Sequence, residues 1–267
     1  MIAIDRSLCI GCGNCLDKCP CRSISIEDDK AVYHPEKGCI KCMHCGAACP
    51  CEAITYDGGP TVTGEDLPEF SIDFPNELEN LIKSRRSYRI FTDEMVPMEE
   101  IEHALDVASW APSAKNQHPT KYYLIRGSEE VRKVTKLIMD DIREKQDERL
   151  ELLKAYEEGN NKVFGTASTA ILAYARCNAV NPQTDTAIKM ATAELVLQSR
   201  GFGTCWSGYL MRSLNSIKAL KEIFSVPENN MFFACLLVGY PAEKYCHIPE
   251  RIKRADIKSA DWGNSEA

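Results

Sequence analysis

The hydrophobic pattern of the chain changes character about a quarter of the way along. In the first part, apolar residues alternate with polar ones over short stretches at Ile2–Ile4, 24–26, 31–33 and Ile54–Tyr56. A period of two predicts strands, here arranged as two small hairpins. Beyond residue 75 the apolar positions fall three and four apart, which predicts helices over 76–83, 98–110, 128–158, 184–200 and 214–224. Between them, strands are predicted at 121–126, 169–175, 204–209 and 231–239. Several helices around a modest sheet make this part an α+β domain. The run 231–239 is the longest apolar one and is about half of what a spanning helix needs, so no membrane segment is expected.

The two patterns are separated by a stretch rich in glycine, proline and acids, including Gly58, Gly59, Pro60, Pro68 and Pro75. This composition predicts a linker. The expected organisation is a small domain at 1–58, a linker at 59–75 and a larger domain at 76–267.

Cysteine usage gives the small domain its chemistry. Of 14 cysteines, ten lie within the first 51 residues. No signal sequence precedes them, so a cytoplasmic setting is expected, and there such a concentration points to metal binding rather than disulfides. The segment repeats with an offset of thirty residues: Cys9, Cys12, Cys15, Cys19, Pro20, then Cys39, Cys42, Cys45, Cys49, Pro50. Each copy reads C-x2-C-x2-C-x3-C-P, the pattern of bacterial ferredoxins with two [4Fe–4S] clusters, in which the fourth cysteine of each run serves the other cluster. The expected ligand sets are therefore Cys9, Cys12, Cys15 and Cys49, and Cys39, Cys42, Cys45 and Cys19. Zinc knuckles are the alternative, but they show one or two CxxC pairs, often with histidine. A core of under 60 residues is marginal by itself, and clusters would staple it. Cys21 and Cys51 are surplus to eight ligands and are read either as small packed residues or as groups that tune the clusters.

The formal net charge is −7, and two oxidised clusters would each add about two negative charges. No stripe of Lys and Arg is present, which argues against nucleic acid as a partner.

Three motifs stand out in the larger domain. Arg85-Arg86-Ser87-Tyr88-Arg89 follows the first predicted helix and supplies forked donors and a hydroxyl suited to phosphate. Ala111-Pro112-Ser113-Ala114-Lys115-Asn116-Gln117-His118-Pro119 brackets polar groups between prolines. Gly201-Phe202-Gly203-Thr204-Cys205-Trp206-Ser207-Gly208 contains a G-x-G, but it follows a helix and precedes a strand, the reverse of a dinucleotide fingerprint. Together with Val238-Gly239-Tyr240-Pro241 and a basic tail, these motifs in this order resemble the nitroreductase family over residues 77 to about 255.

That resemblance implies an FMN-dependent oxidoreductase, a homodimer with flavins at the subunit interface, and a set of cofactor contacts. Arg85 and Ser87, beside Arg86, would hold the phosphate with help from Arg251 and Lys253. Arg89 would face the pyrimidine edge. Pro112, Ser113 and Asn116 would approach from the partner subunit, and Ser207 and Gly208 would offer backbone N–H groups to the flavin. His118 departs from the family's usual glutamine there and is read as a proton donor or as a structural substitute. Cys205 is read as packing, because nothing nearby in sequence would lower its pKa. The charged segment 129–158 is expected to be a solvated helix, which in this family also covers the substrate entrance. The combined expectation is electron flow from two [4Fe–4S] clusters through FMN to an electron-poor organic acceptor, with ferredoxin or NAD(P)H as external donor. Alternatives are delivery to a protein partner, or another flavin reaction such as reductive dehalogenation or ene reduction.

Overall fold

The computed structural model describes residues 1–62, 67–253 and 255–259; residues 63–66 of the expected linker and 254 and 260–267 of the second domain lie outside them. In the first domain β1 (Ile2–Ile4) pairs antiparallel with β4 (Ile54–Tyr56), and β2 (Ile24–Glu27) pairs with β3 (Lys30–Tyr33). Only the second pair is a hairpin. The first joins the two ends of the repeat, which differs from the expected two hairpins and closes the domain on itself. A short strand, β5 (Gly59–Pro60), adds to β4, and Thr61 Oγ1 donates to the Ile54 carbonyl at 2.8 Å. The expected linker therefore begins as part of the domain. Two one-turn helices, α1 (Asn14–Asp17) and α2 (His44–Ala47), occupy equivalent places in the repeat.

The second domain is a four-stranded antiparallel sheet in the order β6-β7-β9-β8, made of β6 (Lys121–Arg126), β7 (Thr169–Arg176), β8 (Gly203–Trp206) and β9 (Asn230–Gly239). Both faces of its central strands are covered. Along β7, Ala170, Leu172 and Tyr174 join one apolar cluster while Ile171 and Ala173 join the other. On β9, Cys235 and Leu237 alternate in the same way with Ala234, Leu236 and Val238. This two-sided burial is why 231–239 reads as a continuous apolar run.

One face carries α4 (Met98–Val107) and α7 (Pro182–Ser199), and α3 (Phe74–Ser84) packs on α7. The other carries α5 (Ser128–Lys145), α6 (Leu150–Glu157), α8 (Gly208–Ser216) and α9 (Lys218–Ile223).

Two expected helices are each a pair. The segment 128–158 breaks at Gln146, which adopts φ 50° at the end of α5. It is not merely solvated, since Val131, Val134, Ile138, Met139 and Ile142 are buried. At the break, Asp141 receives Lys145 at 2.7 Å and Arg149 at 2.7 Å, so unlike charges meet across the turn. The expected helix 214–224 starts earlier, at Gly208, and breaks at Ile217, whose backbone is extended. Strand β8 correspondingly ends at Trp206 rather than 209. Among the described residues no helix is long and apolar enough to cross a membrane.

Candidate functional site

In the first domain the cysteines surround two separate cavities. Cys9, Cys12, Cys15 and Cys49 line one, together with Ile4, Ala31 and Ile54. Cys39, Cys42, Cys45 and Cys19 line the other, with Ile2, Ile40 and Met43. The fourth cysteine of each run thus lies on the wall of the other set's cavity. Each set also has one surplus thiol on its wall, Cys51 in the first and Cys21 in the second.

The loops repeat in backbone as well as sequence. Gly11 and Gly13 adopt φ 69° and 78°, and their counterparts Lys41 and Met43 adopt 56° and 58°. These left-handed turns curl the chain around each cavity. Glycine is required at position 11, where a Cβ would fall 2.3 Å from the Asp29 carbonyl oxygen. Backbone N–H groups point at sulfur: Ala31 to Cys9 at 3.4 Å, Lys41 to Cys39 at 3.3 Å, Ser23 to Cys19 and Ala53 to Cys49 at 3.4 Å. Such donors stabilise thiolate. At Cys9, the N–H groups of Ala31 and Gly11 hold the thiol below its ordinary pKa. Burial pushes Cys15 up to about 11, with Cys49 and Cys12 adding to the rise. A thiol in that setting ionises when a metal takes the sulfur. No three His, Cys, Asp or Glu side chains among the described residues converge closely enough to hold one metal ion. Five cysteines line each cavity, and soft thiolate sulfur is the ligand chemistry that iron–sulfur clusters and zinc share.

The second domain holds a cavity of about 680 Å³ between Arg89, the segment 159–166, and the end of β8 with the start of α8. That volume is within the range of small-molecule sites. Arg89, Lys162 and Arg212 all line it, and no carboxylate does. An anionic ligand such as FMN fits this lining. Arg212 lies over the Tyr209 ring at 5.0 Å, which fixes its direction. Gly165, at φ 59°, lets the chain pass Arg89, since a Cβ there would sit 2.0 Å from the Arg89 carbonyl oxygen.

Of the residues expected at the flavin, Arg89, Ser207 and Gly208 share this cavity. The Ser207 N–H, however, is spent on the Cys235 carbonyl at 2.9 Å. Its hydroxyl donates to the Val163 carbonyl at 2.7 Å and accepts from the Leu210 N–H, capping α8. Gly208 and Tyr209 open α8, where N–H groups have no intrahelical acceptor, so backbone donors are left there for a ligand. Cys205 is buried, and this burial raises its thiol pKa, in keeping with a packing role.

Arg85 and Ser87 approach Cys205 but do not line the cavity. Arg85 Nη1 pairs with Glu194 at 3.2 Å. Glu194 is buried and also accepts from Thr204 Oγ1 at 3.0 Å and Trp206 Nε1 at 2.9 Å. Arg86 turns back to the carbonyls of Lys83 and Arg85 and closes the end of α3. Pro112, Ser113 and Asn116 lie away from this cavity's lining, as do the exposed Arg251 and Lys253. Ser113 Oγ accepts from the His118 N–H at 3.0 Å, and Asn116 contacts the first domain. Sequence reasoning missed Glu194, Lys162 and Arg212, which sit outside any local motif. Arg212, one turn after Gly208 on the helix the G-x-G segment leads into, could have been inferred from helical spacing alone.

The profile described as the nitroreductase family matches residues 82–240, and that described as a 4Fe-4S dicluster domain matches residues 1–50. A protein of Archaeoglobus fulgidus called a putative NADH dehydrogenase/NAD(P)H nitroreductase is 28% identical over 193 residues, covering 70% of this chain and 99% of the relative. An iodotyrosine deiodinase of Nematostella vectensis is 24% identical over 210 residues, covering 72% of this chain and 75% of the relative. Among solved structures, a Bacteroides fragilis nitroreductase with bound FMN superposes with a TM-score of 0.60 at 21% identity, over 70% of this chain and all of that one. This likeness is one of fold.

Proposed function

The chain belongs to the nitroreductase family, and on that premise we propose that it carries single electrons from two [4Fe–4S] clusters in residues 1–58 to FMN in the second domain, which reduces an electron-poor organic acceptor such as a nitroaromatic or a quinone. The observation that carries this reading is the pairing, on one chain, of two cavities each walled by five cysteines with a cationic cavity free of carboxylates. When bound, FMN supplies the conversion between one-electron and hydride chemistry. Arg89, Lys162 and Arg212 offset the charge of the reduced cofactor, and a nearby cation favours an anion by roughly 1–3 pKa units. The Gly208 N–H would be a donor for the flavin ring. Arg85 spends one donor of its fork on Glu194, and the others, with Ser87, are available to phosphate. Arg251 and Lys253 complete that site by folding over it.

A homodimer fits the exposed apolar side chains Leu67, Ile72, Trp110, Ile252 and Ile257, each more than two-thirds accessible. Cluster chemistry suits a reducing, cytoplasmic setting. A second reading, reductive dehalogenation, is favoured by the likeness to the deiodinase. The test is anaerobic purification followed by metal, sulfide and flavin analysis, then turnover with reduced ferredoxin or NAD(P)H against nitroaromatic, quinone and haloaromatic acceptors. About eight irons and one FMN per chain are expected; zinc without acid-labile sulfide, or no turnover with any acceptor, would refute the proposal.

A further inference from the structure

Electrons that leave the small domain must cross a domain boundary. One side chain bridges it. Asn116, in the 3-10 turn Ala114–Asn116, donates through Nδ2 to the Ile40 carbonyl at 3.1 Å and the Lys41 carbonyl at 3.0 Å. Both carbonyls belong to the loop between Cys39 and Cys42, and Ile40 lines the second cysteine cavity. The Lys41 N–H in turn donates to Cys39 Sγ.

The loop that presents Asn116 is held in a conformation L-residues rarely adopt. Lys115, Asn116 and His118 have φ of 51°, 54° and 43°. What holds it is local and buried. The Ala114 N–H donates to Asp185 Oδ1 at 2.9 Å, and Asp185 is 2% exposed. The His118 N–H donates to Ser113 Oγ. The His118 ring meets Asn116 Oδ1 through Nε2 at 2.8 Å. Two carbonyl acceptors require the amide nitrogen to face the first domain, so Oδ1 faces His118 and Nε2 carries the proton. Nδ1 is then the bare nitrogen, and it is buried with no hydrogen-bond partner in the structure. Burial, with Lys189 nearby, holds the His118 pKa below its ordinary value, which agrees with a neutral ring.

Resting on the reading above, we propose that Asn116 is an interdomain latch, oriented by His118, that pins the Ile40–Lys41 loop to the flavin domain and so makes the second cavity, walled by Cys19, Cys39, Cys42 and Cys45, the exit through which the flavin is reduced. Full reduction takes two single-electron passages, each oxidising the donor cluster by one electron. Dithionite or a reduced ferredoxin is the upstream reductant, and solvent supplies the proton. Asn116 and His118 are positioning residues.

The test uses the full chain, anaerobically purified, as Asn116→Ala, His118→Ala and His118→Gln. Hydrogen exchange over residues 38–43 reads docking directly, and rapid mixing with dithionite reads flavin reduction. A hydrogen bond of ordinary strength shifts an equilibrium about fivefold, so Asn116→Ala lowers the ratio of docked to undocked forms by roughly 30-fold. Loop exchange rises and flavin reduction slows accordingly. His118→Ala has a smaller effect of the same sign, and His118→Gln restores both, because its amide N–H can again donate to Asn116 Oδ1. Wild-type loop exchange in both alanine variants overturns the proposal. So does loss of FMN in Asn116→Ala with unchanged loop exchange, which would make Asn116 a flavin ligand instead. Iron, sulfide and FMN are assayed on the wild-type sample, so failure of the redox reading is seen separately from failure of the latch.

Discussion

Replacing Glu194 with alanine removes one carboxylate and leaves three donors facing its place: Arg85 Nη1, Thr204 Oγ1 and Trp206 Nε1. Breaking a fully buried ion pair from one side costs about 3–5 kcal/mol. Here the Glu194 side chain is 7% exposed but that of Arg85 is 29% exposed, so water partly replaces the lost partner. A cost of about 2–3 kcal/mol is therefore expected. For a domain of this size each kcal/mol moves the midpoint by about 2–4 °C, giving a fall of roughly 4–12 °C. Glu194→Gln keeps the shape and loses the charge, and should cost about half as much. Melting is followed through flavin release, because a two-domain chain need not unfold in one step. If Glu194→Ala melted within about 1 °C of wild type, the network would carry no stability and its geometry would be incidental.

Gly165→Ala puts a methyl group against the Arg89 carbonyl and should weaken both the fold, by about 2–4 kcal/mol, and FMN affinity; wild-type affinity by fluorescence titration would show that Arg89 does not depend on that contact. Burial pushes the Asp141 pKa up, but Lys145 and Arg149 pull it down further, to a net value below the ordinary 3.8. Its folded pKa lies below its unfolded one, so the stabilisation is present above the unfolded value and is lost as pH falls through the folded value. Asp141→Asn should accordingly destabilise by about 1 kcal/mol at pH 7 with the difference vanishing in acid; a pH-independent difference in denaturant midpoint would contradict the ion pairs. Alkylation of the native protein at mildly basic pH should modify the exposed Cys177 and Cys246 and spare Cys205 and Cys235, whose thiols burial pushes up; mass-spectrometric labelling of Cys205 without denaturant would place it in an open site.

The parts of this molecule that were legible in sequence are those where chemistry is local. The two cysteine runs are local repeats, and the structure puts Cys19 and Cys49 on the walls of the opposite cavities. Likewise, the run 231–239 reads as a strand, and the structure covers it on both faces. Helix breaks were harder. Gln146 and Ile217 are neither glycine nor proline, and each helix resumes with the same apolar period, so the interruptions leave no mark in the pattern. The site was legible only where a motif reaches it directly. Arg89 and Gly208, each from one of the motifs, line the cavity, but the Ser207 N–H is claimed by Cys235, a contact set by strand pairing across the sheet. Glu194 lies 109 residues from Arg85, and Asn116 lies 76 residues from Ile40, so both depend on tertiary structure that no spacing encodes.

The proposed electron flow enters through residues 1–58. The family match covers residues 82–240, so a form lacking residues 1–65 keeps all of it. The decisive measurement is the rate of flavin reduction by reduced ferredoxin, on rapid anaerobic mixing, for the full chain and for a form lacking residues 1–65, both loaded with FMN. The account predicts fast reduction in the full chain and almost none in the shortened form, with both forms oxidised equally by the same acceptor once the flavin has been reduced chemically. Equal reduction rates in the two forms would contradict it, and the cysteine-walled cavities would then be an exit for electrons or a structural support.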